Sequence, residues 1–137
     1  MDEDEARRRF AAAPVARLAT VGADGRPHLV PVTFACAGDV VYTAVDAKPK
    51  TTRRLRRLAN IAANPAVTLL VDHYADDWAT LWWVRADGDA QLISAGSRFV
   101  EAIDALCGKY RQYADQRPNG PAIAVRVTAW RSWAATR

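Results

Sequence analysis

The sequence contains few residues of the types that bind metals or attack substrates. It has two histidines, His28 and His73, and no cluster of carboxylates at metal-binding spacing, which argues against a zinc site. Its two cysteines, Cys36 and Cys107, lie far apart and form neither a CxxC pair nor a disulfide framework. Isolated cysteines usually pack as small apolar side chains. We therefore expect reduced thiols in the core and no metal.

Long hydrophobic runs and targeting signals are also missing. No apolar stretch approaches the ~20 residues that a membrane helix needs. Residues 2–5 are all acidic, whereas a secretory signal begins with basic residues. These features predict a cytoplasmic protein with no membrane partner. The length of 137 residues predicts a single domain over residues 1–137.

The common catalytic motifs are absent. The sequence has no GxGxxG, GxxxxGK[ST], HExxH or GxSxG pattern, which argues against the usual dinucleotide, P-loop, metalloprotease and serine-hydrolase sites. An enzyme of this composition would need an organic cofactor for its chemistry. Tyr42, His28 and His73 are the available proton donors, but residues of these types are more often structural. We name no catalytic residue.

The hydrophobic pattern predicts a mainly β protein with about six strands and three helices. Asp2 and Glu5 form a capping pair for a first helix, which Pro14 ends. Asp87-Gly88 is a hairpin signal, and Ser97 is a candidate N-cap. Residues 111–120 are expected to form a loop. Seven segments are candidates for these strands, namely 15–21, 28–36, 40–45, 67–72, 78–86, 90–93 and 122–130, and the predicted hairpin joins 78–86 to 90–93. Such antiparallel order favours a small barrel or sandwich.

A basic block carries the strongest functional signal. Residues 48–57 hold six Lys or Arg residues and no acid, and the spacing of Leu55, Leu58 and Ala62 predicts that a helix begins here with Thr51 or Thr52 as its N-cap. Helix N-termini attract anions, and Arg adds bidentate hydrogen bonds to phosphate or carboxylate groups. The block is either a solvated helix face or an anion site. The strand before it and the hydroxyls at its start favour the anion site.

Three segments in order resemble a known family. They read RLATVGADGRPHLVPVTFA, VYTAVDAKPKTTRRLRRLANIAANPAVTLLVD and DDWATLWWVRADGDAQL, and they cover most of residues 10–93. This order resembles the F420-dependent branch of the pyridoxamine 5'-phosphate oxidase-like (FMN-binding split barrel) superfamily. The resemblance implies a six-stranded antiparallel split β-barrel with flanking helices. It also implies a homodimer with two equivalent cofactor sites at the interface, and five Trp residues in 137 agree with such an interface.

The resemblance also implies which residues bind the cofactor. The strand that contains Pro31, Val32 and Thr33 would line the ring system, and Trp78 would reach the site from the partner subunit. The basic block would bind the phosphate. Relatives read Lys-x-Arg-Asn-Leu before this element, whereas this chain reads Arg-Leu-Ala-Asn-Ile, so the phosphate ligand is open among Lys50, Arg53 and Arg57, of which we favour Lys50 and Arg57. The full set of expected cofactor-binding residues is Pro31, Val32, Thr33, Lys48, Lys50, Thr51, Thr52, Arg53, Arg57, Asn60 and Trp78.

The function expected from the resemblance is hydride transfer between coenzyme F420 and a small organic acceptor of the enone, quinone or imine type. Six bases suit the several anionic groups of F420 better than the single phosphate of FMN, although FMN remains an alternative. A non-catalytic protein that binds a flavin or deazaflavin is a second hypothesis. A nucleic-acid-binding module is a third, but the bases lie on one short helix while the Trp residues lie on predicted strands. We therefore expect a small-molecule partner and no nucleic acid.

Overall fold

The computed structural model describes residues 1–45 and 53–136, and in the second range it describes side chains from residue 56 onward. In chain order the helices are α1 (Glu3–Ala12), α2 (Arg53–Ala63), α3 (Ser97–Lys109) and α4 (Gln112–Asp115). A 3-10 turn covers Trp78–Thr80. The strands are β1 (Ala16–Val21), β2 (Pro27–Val32), β3 (Ala35–Ala37), β4 (Val40–Ala44), β5 (Ala66–His73), β6 (Trp82–Ile93) and β7 (Ala122–Ala134).

The strands form one antiparallel sheet that curls into a split barrel. Their order is β2-β1-β5-β6-β7-β4-β3, so β2 and β3 are the two edges. Only Thr33 and Phe34 connect these edges along the chain. Because two residues cannot cross a flat seven-stranded sheet, the sheet must bend until its edges meet. We call residues 33 and 34 the seam. The predicted fold class is thus confirmed as mainly β with flanking helices.

The strand count is seven rather than the six expected. Residues 28–36 were expected to form one strand, but the chain leaves β2 after Val32 and enters β3 at Ala35. At the seam the Phe34 N–H donates to the Tyr110 hydroxyl at 3.0 Å instead of to a neighbouring strand. The alternation of apolar residues is continuous across the break, which is why the pattern alone did not reveal it. Pro31 lies on the edge strand β2, as its missing N–H predicts.

The expected hairpin at Asp87-Gly88 is wrong. Both residues lie inside β6, which continues through Asp87 with β5 on one side and β7 on the other. The register against β7 shifts between Asp87 and Gly88, which marks a β-bulge. A Cβ on Gly88 would lie 2.3 Å from the carbonyl oxygen of Arg126. The glycine therefore permits a close approach of two backbones and does not form a turn.

Helix α1 confirms its predicted start. The Asp2 side chain accepts a hydrogen bond from the Glu5 N–H at 2.8 Å, and the helix ends before Pro14. Its buried residue Phe10 packs against Phe34 and Trp130 at ring-centroid distances of 5.0 and 5.2 Å. The helix thereby covers the core beside the seam.

The C-terminal helices differ from the prediction at their ends. The N-cap of α3 is Gly96, at φ 91°, rather than Ser97, and no side chain caps this helix. Ile103 and Leu106 of α3 are buried. Part of the expected loop over 111–120 forms the short helix α4. Within the described residues no helix is both long and apolar enough to cross a bilayer. The cytoplasmic location stays a prediction.

The bulge provides a test of the barrel. We expect Gly88→Ala to lower the free energy of unfolding by about 1–3 kcal/mol, because the added Cβ meets a backbone oxygen that has no freedom to move away. Gly108→Ala in α3 is the matched control, since its Cβ would have no neighbour within 4 Å. We expect the control to be neutral or slightly stabilising. Urea denaturation measures both, and equal stability of the two variants would contradict this account of the bulge.

Candidate functional site

A cleft of about 220 Å³ lies where the end of β2, the end of β4 and helices α2 and α4 meet. The cleft brings together two parts of the chain that were predicted to bind one cofactor, namely the end of β2 and the basic helix α2. The lining residues are Pro31, Val32, Thr33, Thr43, Ala44, Arg57 and Tyr113.

Strand β2 presents different groups to its two faces. Val32 is buried in the barrel core, whereas Pro31 is exposed on the outer face. Thr33 follows at the seam and is half-buried, with its side chain lining the cleft. The three predicted ring contacts therefore lie together, and Pro31 and Val32 provide apolar contacts next to the hydroxyl of Thr33.

Arg57 supplies the positive charge of the cleft. Its neighbours in α2, Leu58 and Ile61, are buried in the barrel core, which fixes the rotation of the helix. With those residues inward, Arg57 is half-buried and lines the cleft, whereas Arg56 is exposed and does not. Of the three candidate phosphate ligands, Arg57 is the one whose side chain the structure describes at this site.

Two tyrosines from the C-terminal helices hold the seam. The Tyr113 hydroxyl lies 2.8 Å from Thr33 Oγ1, and either oxygen is able to donate. The Tyr110 hydroxyl accepts from the Phe34 N–H and lies 3.0 Å from the Phe34 carbonyl oxygen and 2.8 Å from that of Pro14. Burial is the main cause that raises the pKa of Tyr110 above its ordinary value, so this hydroxyl keeps its proton. The tyrosine rings contact each other edge to face at 5.6 Å.

Sequence reasoning missed Tyr113. It lies in the segment that was expected to be a loop, and its distance of 80 positions from Thr33 gives no local signal. The available hint was the pair of phenolic side chains three residues apart at the end of a helix, a spacing that places both on one side of a helical turn.

Asn60 lies beneath the site instead of lining it. It is buried, and its Nδ2 donates to Thr20 Oγ1 at 3.0 Å. Its Oδ1 lies 2.4 Å from the position that a Cβ on Gly22 would take. These contacts fix α2 against β1 and the turn that follows it. The described contacts of Asn60 are therefore structural, and a direct cofactor contact for it stays a prediction.

Trp78 lies away from the cleft of its own chain. It is 67% exposed in the 3-10 turn, and its Nε1 donates to the hydroxyl of Tyr74 at 3.2 Å. This position leaves the ring available to a second subunit, and its contribution to a partner's site stays a prediction.

Several predicted residues fall outside the described residues, namely Lys48, Lys50, Thr51 and Thr52, together with the N-cap of α2. Arg53 is the first residue of α2, and its side chain is likewise outside the description. Of the predicted phosphate ligands, the structure therefore describes the side chain of Arg57 alone.

The three potential proton donors do not line the cleft. Tyr42 is buried and donates to Glu101 Oε1 at 2.8 Å, and burial, followed by this hydrogen bond and the carboxylate charge, raises its pKa. His73 is exposed and its ring stacks on Trp82. His28 lies on β2 with its Nδ1 buried and without a hydrogen-bond partner among the described residues. None of the three predicted proton donors therefore lies at the cleft, where the titratable hydroxyl is that of Tyr113.

The composition of the cleft fits an oxygen-rich planar ligand. The Arg57 guanidinium, the Thr43 hydroxyl and one hydroxyl of the Thr33–Tyr113 pair can donate to carbonyl or phosphate oxygens, while Pro31 and Val32 line the same space with apolar groups. Pockets for complete small ligands are usually about 300–1,000 Å³. A cleft of about 220 Å³ in one chain therefore encloses only part of a tricyclic cofactor.

Comparison with known proteins identifies the fold and a distant enzyme relative. A 5a,11a-dehydrotetracycline/5a,11a-dehydrooxytetracycline reductase of Streptomyces rimosus is 36% identical over 83 residues, which is 60% of this chain and 57% of the relative. The match thus spans little more than half of the relative's length. A FAD-binding protein of Mesorhizobium loti superposes with a TM-score of 0.73 at 18% identity, covering 96% of this chain and 94% of that one. The heme storage protein HutZ of Vibrio cholerae superposes with a TM-score of 0.74 at 16% identity, covering 96% and 93%.

The structural likenesses at these identities show the fold, which is the split barrel described above. Residues 2–134 match the family described as pyridoxamine 5'-phosphate oxidase, which is nearly the whole chain. The chain belongs to the pyridoxamine 5'-phosphate oxidase family.

Proposed function

We propose that this protein is an F420-dependent oxidoreductase that transfers a hydride between the deazaflavin and a small organic acceptor of the enone, quinone or imine type. The observation that carries the proposal is the cleft, which is lined both by the predicted ring contacts Pro31 to Thr33 and by the guanidinium of Arg57. When bound, the cofactor would supply the redox chemistry. The reductase from Streptomyces rimosus supports an oxidoreductase activity for a chain of this family.

The protein's own residues would bind and orient the ring. Pro31 and Val32 would contact it with apolar groups, and the hydroxyls of Thr33 and Thr43 would donate to its oxygens. Arg57 would pair with an anionic group, and a half-buried guanidinium binds such a group more strongly than an exposed one. Catalysis would then rest on holding ring and acceptor close together, with solvent as the source of any proton.

The preference for F420 over FMN rests on charge. Residues 48–57 contain six bases without an acid, and α2 has no acidic residue in its first turn. F420 carries several carboxylates beyond its phosphate, so a spread of positive charge favours it over a ligand with one phosphate. FMN is the alternative within the same site.

We also propose a homodimer with the site at its interface. On β2, Pro31 and Leu29 point to the outer face of the sheet, and Leu29 is 66% exposed. The register pairs Leu29 with Ala19 and Pro31 with Arg17 on β1, so the outer face continues across the sheet. Trp133 on β7 is 46% exposed. Large exposed apolar side chains of this kind favour association. A second subunit on this face would complete the partial cleft beside Pro31.

A non-catalytic binder is the second candidate. It is favoured by the likeness to a heme storage protein and by the absence of the three predicted proton donors from the lining of the described cleft. Binding and activity measurements on the same preparation separate it from the enzyme.

The cofactor is tested by separate titrations of the protein with F420, FMN and hemin, followed by absorbance and fluorescence. We expect F420 to bind most tightly, because its anionic groups match the basic block. Protein loaded with reduced F420 should then be oxidised by quinones or enones faster than the free cofactor. Tight binding without such oxidation would favour the binder, and preference for hemin would contradict the proposed site chemistry.

The anion contact is tested by Arg57→Ala with Arg56→Ala as the matched control on the same helix. We expect Arg57→Ala to weaken F420 or FMN binding about 10- to 100-fold, since a charged hydrogen bond contributes about 1.5–3 kcal/mol. Arg56 is exposed outside the cleft, so its removal should change affinity less than about threefold. Adding Lys50→Ala to Arg57→Ala should weaken binding further. Equal effects of the two arginine variants would show that the phosphate is bound elsewhere.

The interface is tested by placing a charge on the outer sheet face. We expect Leu29→Glu to shift the protein to monomers in light scattering and to weaken cofactor binding, because it buries an unpaired carboxylate in the dimer. Val100→Glu is the control, because Val100 is 53% exposed on α3, away from this face. A Leu29→Glu protein that remains dimeric would place the interface on another surface.

A further inference from the structure

The hydrogen bond between Thr33 and Tyr113 uses only one of their two hydroxyl protons. Each hydroxyl has one proton to donate. The 2.8 Å bond between Thr33 Oγ1 and the Tyr113 oxygen consumes one of the two, whichever residue is the donor. Each oxygen has the other as its hydrogen-bond partner among the described residues. The hydroxyl that accepts therefore retains a proton, and both side chains line the cleft into which it is able to donate.

We propose that Thr33 and Tyr113 act as one ligand-binding unit that donates a single O–H hydrogen bond to an acceptor oxygen of the bound molecule. The inference rests on the proposed function, because the acceptor is an oxygen of the flavin or deazaflavin cofactor. It assigns to Tyr113, a residue of the C-terminal part of the chain, a direct part in cofactor binding in the cleft that Arg57 of α2 also lines.

The position of the pair restricts the class of acceptor. Arg57 lines the same cleft, so a ligand oxygen there is bound by a cation and a hydroxyl donor together. Carbonyl, enolate and phosphate oxygens accept hydrogen bonds from both groups. A protonated amine would be repelled by the positive charge of the guanidinium. The two sources of such an oxygen in these cofactors are the ring carbonyls and the phosphate.

A double-mutant cycle on ligand affinity distinguishes a purely structural pair from a ligand-binding pair. Thr33→Val and Tyr113→Phe each remove the bond between the two hydroxyls. Because this bond is lost only once, the stability losses of the two single variants do not add in the double variant, whether or not the pair binds a ligand. For affinity, each single variant retains one hydroxyl, which is then free to donate to the ligand. The double variant retains none.

We therefore expect each single variant to weaken cofactor binding less than about threefold and the double variant to weaken it about tenfold or more, beyond the product of the single losses. The thermal midpoints of the two single variants and the double variant should be similar. Tyr42→Phe is the control, because it removes another tyrosine hydrogen bond of 2.8 Å outside the cleft. It should change stability without changing affinity.

The probes are FMN and riboflavin, together with F420 and its deazaflavin core without the phosphate. Each phosphorylated compound is compared with its counterpart without the phosphate. If the pair binds a ring oxygen, the double variant weakens binding of both compounds equally. If the pair binds the phosphate, only the phosphorylated compound loses affinity. A double variant whose loss does not exceed the product of the single losses overturns the inference but leaves the proposed function intact. A wild-type protein that binds none of the four compounds overturns both.

Discussion

The closure of the sheet at the seam is the constraint on which the rest of the structure depends. Seven strands pair in one order, and the chain passes between the two edges in two residues. At Phe34 the backbone N–H lies outside the strand ladder, and an unpaired buried N–H would be costly. The Tyr110 hydroxyl accepts from this N–H at 3.0 Å, which explains why a C-terminal helix must pack there.

The seam also explains why the cleft forms where it does. A strand at a sheet edge has no neighbouring strand on one side, which leaves space beside its last residues. Thr33 directly follows the last residue of β2, and the elements that hold the seam bring Tyr113 to it at 2.8 Å. Helix α2 closes the cleft with Arg57, since Leu58 and Ile61 anchor the helix in the core. Barrel closure and ligand chemistry therefore share the same few residues.

Local features were predictable from the sequence and contacts distant in the chain were not. The Asp2 cap, the edge position of Pro31 and the common location of Pro31 to Thr33 with Arg57 agree with the sequence pattern or the family resemblance. The Asp87-Gly88 pair has turn chemistry, but close contact with the Arg126 carbonyl determines its conformation. Likewise, Asn60 fits a ligand-binding motif by position, although its amide is buried against Thr20. No local sequence pattern identifies Arg126 as the neighbour of Gly88 or Thr20 as the partner of Asn60.

Because the cleft of one chain is small, the proposed cofactor binding and the proposed subunit association would be coupled. A cleft of about 220 Å³ in one chain would hold only part of the proposed tricyclic ring. Pro31 lines this cleft and lies with Leu29 on the outer face of the sheet. A ring that rests on Pro31 alone would leave one of its faces in water, where hydrophobic contact contributes little. Covering that face with a second chain would bury ring and sheet together. It would also strengthen the attraction between Arg57 and an anionic group, because water would be removed from around the pair. In the proposed dimer the affinity for cofactor would therefore depend on protein concentration in the range where the subunits dissociate, since one subunit alone would offer only part of the contacts.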